Sequence, residues 1–169
     1  MKVTNIHSRS YPVTNTEIGA LLDSLASKED RLWPNRMWPA MKFDRSLSVG
    51  AIGGHKPIQY FVEKYDAGKL VQFRFTAPRG FKGVHRLEVL AKGTKETELR
   101  HTIEMNTEGT ALLSWPILFR PLHNALVEDA LTLAEENLGL EKHVKTWSVY
   151  ARVLQWITSG RKSSRQSFA

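Results

Sequence analysis

The chain has 169 residues, 41% of them hydrophobic and 24% charged, the proportions of one ordinary soluble domain long enough to bury its own core. It contains no cysteine, which excludes disulfides, thiolate nucleophiles, Cys-ligated zinc and iron–sulfur clusters and fits a reducing cytoplasm. Lys and Arg outnumber Asp and Glu by 24 to 17, a net charge of +7, yet residues 140–169 hold six of those cations and one acid, leaving the rest of the chain at only +2. The body therefore lacks the basic stripe of a nucleic-acid binder.

No signal peptide or membrane span is legible. The first residues lack an apolar run, and the longest nearly apolar stretch, Thr110 to Phe119, is short and interrupted by Pro116. The expected localisation is cytoplasmic.

Val3 to Val13 reads as a first strand. Thr14 or Asn15 can cap a helix with Glu17 in its first turn, and Ile18, Leu21, Leu22 and Leu25 repeat at helical spacing, predicting an amphipathic helix over about 15–26. Ser27 to Asp30 predicts a second cap with a short turn or helix. From residue 42 to 105 the period becomes two. Phe43, Arg45, Leu47, Val49 and Ala51 alternate with polar partners, and four further alternating runs follow: Ile58 to Val62, Val71 to Phe75, His85 to Val89 and Leu99 to Met105. Gly53-Gly54, Asp66-Ala67-Gly68, Pro78-Arg79-Gly80 and Lys92-Gly93-Thr94 read as the turns between them, predicting an antiparallel meander. Phe119, Leu122, Leu126, Ala130, Leu133 and Ala134 then form the apolar stripe of a long helix that Gly139 can end. The order predicts an α+β domain over 1–139, a curved antiparallel sheet gripping a long C-terminal helix, with two short helices between the first two strands.

That order resembles the helix-grip fold of the START-like, or SRPBCC, superfamily. It looks closest to bacterial-type members of the branch named for polyketide cyclases, dehydrases and lipid transport. The resemblance covers about residues 3–138. It is carried by Leu32-Trp33-Pro34, by Trp38-Pro39-Ala40-Met41-Lys42-Phe43, by Val49 through Tyr60 and by Phe73 through His85. It implies a fold and an apolar internal cavity. It transfers no active-site residue, because the superfamily has no single catalytic signature.

His85 shares strand parity with Leu87 and Val89, and His101 with Leu99, Ile103 and Met105. If the hairpin turns at Lys92 to Lys95, odd residues pair with odd, so His85 lies opposite residue 101 or 103 and the two imidazoles are direct or diagonal neighbours on the inward face. Such a pair could polarise a carbonyl or shuttle a proton, or could be core histidines bonded to each other, to water or to backbone. Trp33-Pro34 and Trp38-Pro39 hold aromatics on an extended, irregular segment that could rim a cavity mouth or plug the core. Arg45, on the apolar parity of its run, could pair with a ligand carboxylate, with Asp44 or with Glu63. Tyr60, Phe73, Phe75, Leu87, Ile103, Leu122 and Leu126 complete the expected ligand-binding set, the aromatics among them reading equally as core.

His7, His55, His123 and His143 show no metal-ligand spacing, no nucleophile elbow is present, and Gly50 to Gly54 lacks the Lys-Ser/Thr of a phosphate loop. No cofactor, metal or nucleic acid is expected. Residues 140–158 form an extension in which Val144, Trp147, Ala151, Leu154 and Thr158 recur at helical spacing from His143 to Thr158. That face could pack on the domain, on a second subunit, or weakly on anionic lipid. Residues 159–169 read as a basic, disordered tail. The leading expectation is a protein that binds a small hydrophobic ligand, whether lipid, aromatic or polyketide-like. The alternatives are a cyclase or dehydrase using the histidines as acid and base, and a peripheral membrane or assembly protein acting through the C-terminal helix.

Overall fold

In a computed structural model, which describes residues 1–158, a single curved sheet wraps around one long helix, with shorter helices at its margins. The strands are β1 (Lys2–Tyr11), β2 (Lys42–Phe43), β3 (Ile52–His55), β4 (Ile58–Asp66), β5 (Leu70–Ala77), β6 (Phe81–Ala91) and β7 (Thr97–Thr107). The helices are α1 (Asn15–Asp23), α2 (Ala111–Ser114), α3 (Arg120–Asn137) and α4 (Val149–Thr158). All seven strands join one antiparallel sheet in the order β1-β7-β6-β5-β4-β3-β2. Register breaks between Gln59 and Tyr60 and between Val62 and Lys64 bend β4, as bulges do by lodging an extra residue against one partner. The sheet grips α3, the helix-grip arrangement that the resemblance implies.

Helix α1 begins at a capping box, Thr14 with Glu17, which satisfies backbone donors at the first turn. It buries Ile18, Leu21 and Leu22. No second helix follows: residues 24–31 form turns, in which the Asp30 carboxylate accepts hydrogen bonds from the backbone of Ala26, Leu32 and Trp33. Helix α3 stops at Leu138, and Gly139 takes the left-handed conformation (φ 69°) that closes many helices. Just before α3 the chain widens into a π-helical turn over Trp115–Phe119. Pro121 has no N–H to donate back to the Ile117 carbonyl, and the Tyr150 hydroxyl of α4 donates to it instead at 2.7 Å.

The inward face of β1 fastens α3 with polar contacts. His7 meets Glu128 at 2.8 Å, Arg9 reaches Glu128 and Glu135 at 3.2 and 2.8 Å, and the Tyr11 hydroxyl donates to the Leu131 carbonyl at 3.0 Å. Elsewhere the sheet and helices meet through buried apolar side chains, including Leu22, Val62, Phe73, Leu99 and Leu131.

Three further expectations are corrected by the structure. The alternating run Phe43 to Ala51 is not a strand: β2 ends at Phe43, and the ladder resumes at Ile52. The Asp44 carboxylate accepts from Ile52 N–H, and the Ser48 hydroxyl donates to the Ser46 carbonyl, so short polar side chains capture the backbone that a strand would need. Gly53 and Gly54 lie inside β3 rather than in a turn. A Cβ on Gly53 would strike the Lys42 carbonyl and one on Gly54 the Ile58 carbonyl, so the sheet admits only glycine there. The helix expected from His143 begins only at Val149, while the chain before it is tied down by His143 to Glu135 and Lys145 to Glu128. The tail from residue 159 lies outside the described residues.

Candidate functional site

Between the sheet and α3 lies a cavity of about 510 Å³. Strands β6 and β7 supply its floor. Their register sets His85 opposite Ile103 and Leu87 opposite His101, so the two histidines are diagonal neighbours, and all four side chains line the cavity. Helix α3 closes the far side with Leu122, His123 and Leu126, and Trp33 and Trp38 come in from the proline-rich segment. Helix α4 borders the opening with Gln155 and Thr158.

Of the residues singled out in the sequence, Trp33, Trp38, Phe75, His85, Leu87, His101, Ile103, Leu122 and Leu126 border this space. Tyr60 and Phe73 are fully buried behind it, against His85, with ring centroids 4.7 and 4.8 Å away. Arg45 is elsewhere: more than half exposed and paired with Asp44 at 2.7 Å, because its segment has left the sheet. Trp33 is buried and donates to the Pro39 carbonyl at 2.9 Å, whereas Trp38 donates to Asp129 at 2.8 Å. Trp147, from the segment before α4, donates to the other oxygen of the same carboxylate at 3.0 Å and packs on Trp38 at 5.1 Å. Asp129 thus pins two loose segments to α3.

The sequence reading missed His55 and His123, which also line the cavity. His123 stands four residues after Phe119 on the apolar side of α3, a position from which it could have been found. His55 lies on a four-residue strand too short to show a period. Together the imidazoles form a row: His85 to His101 at 5.6 Å between ring centres, His101 to His123 at 4.9 Å, with His55 reached through Tyr60.

Burial governs their protonation, since removing an imidazolium from water favours the neutral ring. It drives His123 down to about 3 and His55 to about 4, and holds His85 and His101 well below the ordinary value. The neighbouring imidazoles push His85, His101 and His123 the same way. Burial also raises the Tyr60 phenol well above its usual value, so it keeps its proton, and its hydroxyl shares a hydrogen bond with His55 Nδ1 at 3.0 Å. His101 Nε2 and His85 Nδ1 lie 3.4 Å apart, a long contact. Among the described residues, no group of three or more His, Asp or Glu side chains could hold a metal ion, and no helix is long and apolar enough to cross a membrane.

No family model and no curated protein sequence matches the chain. Solved structures do. A Thermobifida fusca protein studied by NMR aligns with a TM-score of 0.62 at 14% identity, over 84% of this chain and 97% of its own. Norcoclaurine synthase from Thalictrum flavum, in complex with dopamine and hydroxybenzaldehyde, aligns with a TM-score of 0.60 at 15% identity, over 86% and 90%. A Micromonospora echinospora protein gives 0.57 at 13%, over 90% and 81%. At such identities the likeness is one of fold.

Proposed function

We propose that the protein binds a small hydrophobic molecule in the cavity between sheet and α3. The observation that carries this reading is the cavity itself, 510 Å³ bordered mainly by Leu, Ile, Phe and Trp side chains. Protein interiors are otherwise close-packed. Kept dry, a void of that size would cost about 12 kcal/mol at ~24 cal/mol per Å³, comparable to the whole stability of a domain. The volume falls within the range of about 300–1,000 Å³ typical of pockets for organic ligands. Norcoclaurine synthase, built on the same fold, holds small aromatic molecules, which supports the reading without supplying any residue.

Native mass spectrometry of the purified chain, combined with titration of an apolar fluorescent probe, tests this. A co-purifying small molecule or saturable probe binding is expected. Leu126→Trp, which fills the cavity from α3, is expected to abolish probe binding while the protein stays folded. An unliganded chain that binds no apolar probe refutes the reading. The same spectra would reveal turnover if the histidines act as acid and base.

A second reading rests on α4. Val149, Val153, Trp156 and Ile157 are all about half exposed or more, beside the cavity opening that Gln155 and Thr158 border. Residues 142–169 contain six Lys or Arg and no Asp or Glu. An apolar helix face with surplus positive charge suits the surface of an anionic bilayer. Cosedimentation with phosphatidylserine-containing vesicles is expected at low salt, weaker at high salt and lost in Trp156→Glu. No vesicle binding, with a dimer that Trp156→Glu dissociates, assigns the face to a second copy instead.

A further inference from the structure

The histidines bear on the chemistry of the ligand's polar end, an inference that rests on the cavity-binding reading. His85, His101 and His123 border the cavity. One contact joins them, His101 Nε2 to His85 Nδ1. His85 Nε2, His101 Nδ1 and both nitrogens of His123 are withdrawn from solvent and make no hydrogen bond of good geometry, with only the Asn124 side chain interacting loosely with the His123 ring. Buried polar groups in folded proteins seldom stay unpaired.

A neutral imidazole carries one N–H and one lone pair. In the His85–His101 contact one ring's N–H meets the other ring's lone pair, so whichever way it points, one donor and one acceptor are left at the outer nitrogens. His123 adds one of each. The inventory is therefore two donors and two acceptors, whatever the tautomers. A half-turn of the His123 ring about Cβ–Cγ exchanges its nitrogen and carbon edges without breaking the His85–His101 contact, so its donor and acceptor can be presented to the void it lines.

This inventory discriminates among ligand heads. An ether, ester or ketone oxygen only accepts and leaves the lone pairs unpaired. A fixed anion also only accepts, and among the described residues the one charged side chain in the lining, Lys56, is exposed on the turn between β3 and β4, so none of them supplies a buried counter-ion. A hydroxyl both donates and accepts. We propose that the histidine end of the cavity selects an apolar molecule bearing a weakly acidic hydroxyl head, of the phenol, enol or un-ionised carboxyl class, whose hydrogen is donated to an imidazole nitrogen.

Isothermal titration of the full chain with three probes of one skeleton tests this: 2-naphthol, 2-methoxynaphthalene and naphthalene-2-sulfonate. Burial of apolar surface alone favours the methoxy compound, so a preference for the naphthol reports the head. The naphthol is expected to bind about tenfold or more tighter than the methoxy compound, with the sulfonate weakest. In His101→Leu/His123→Leu the ratio of naphthol to methoxynaphthalene affinity is expected to fall to about one or below, whatever happens to the absolute affinities. Should the double variant fail to fold, His123→Leu alone gives the same readout, and the wild-type comparison needs no variant. Equal binding of naphthol and methoxynaphthalene overturns the proposal and leaves cavity binding standing. Binding of neither overturns both.

Discussion

Acidification from pH 7.5 to 5.5 is expected to remove about 5 kcal/mol from the stability of the folded chain. Four histidines, His55, His85, His101 and His123, are kept neutral by burial, with values depressed from 6.5. In the unfolded chain each titrates near 6.5. A base whose folded value is depressed leaves stability intact above the unfolded value. Stability falls as pH drops below it, because only the unfolded state takes up the proton, and the loss levels off at the folded value. Over this interval each such histidine contributes about 1.4 kcal/mol, since the unfolded form gains a tenfold statistical advantage from protonation. Four contribute about 5 kcal/mol, against a typical domain stability of about 5–15 kcal/mol. Asp30, whose carboxyl is raised by burial, works in the opposite sense as pH falls toward its own value. Urea denaturation at half-unit pH steps measures the effect. The slope near pH 5.5 should correspond to about 3–4 protons taken up on unfolding, and His123→Leu should lower it by about one. A flat or rising stability across the interval would refute the assignment of these rings as buried and neutral.

Asp129→Ala removes the shared acceptor of Trp38 and Trp147; a loss of about 1–3 kcal/mol in thermal or chemical denaturation is expected, with faster probe exchange by stopped flow because both segments border or adjoin the cavity opening. Gly54→Ala forces a Cβ against the Ile58 carbonyl at a φ of 146°. It should cost about 2–4 kcal/mol in urea unfolding, and a variant as stable as wild type would contradict the close approach of β3 and β4.

The sequence determined what depends on local chemistry. Period-two alternation placed β4 to β7, and because a one-residue slip would throw each strand's apolar set to the solvent face, the parity His85 shares with Leu87 and His101 shares with Ile103 put both on one inward face. The helical stripe placed α3, and Gly139 ended it. Local pattern failed at Phe43 to Ala51, where alternation was real but Asp44 and Ser48 drew the backbone out of the sheet, taking Arg45 with it. Tertiary structure alone decided what depends on elements distant in the chain. Tyr60 and Phe73 came to lie behind His85 rather than in the cavity wall. The packing of α3 on β7 brought His123 beside His101, and the short β3 brought His55 to Tyr60. The fold of residues 141–158 back onto Asp129 and Ile117 laid α4 beside the opening. Periodicity reports which way a side chain points from its own element; the distance to the next element, and hence whether a space remains between them, is fixed only when the elements pack.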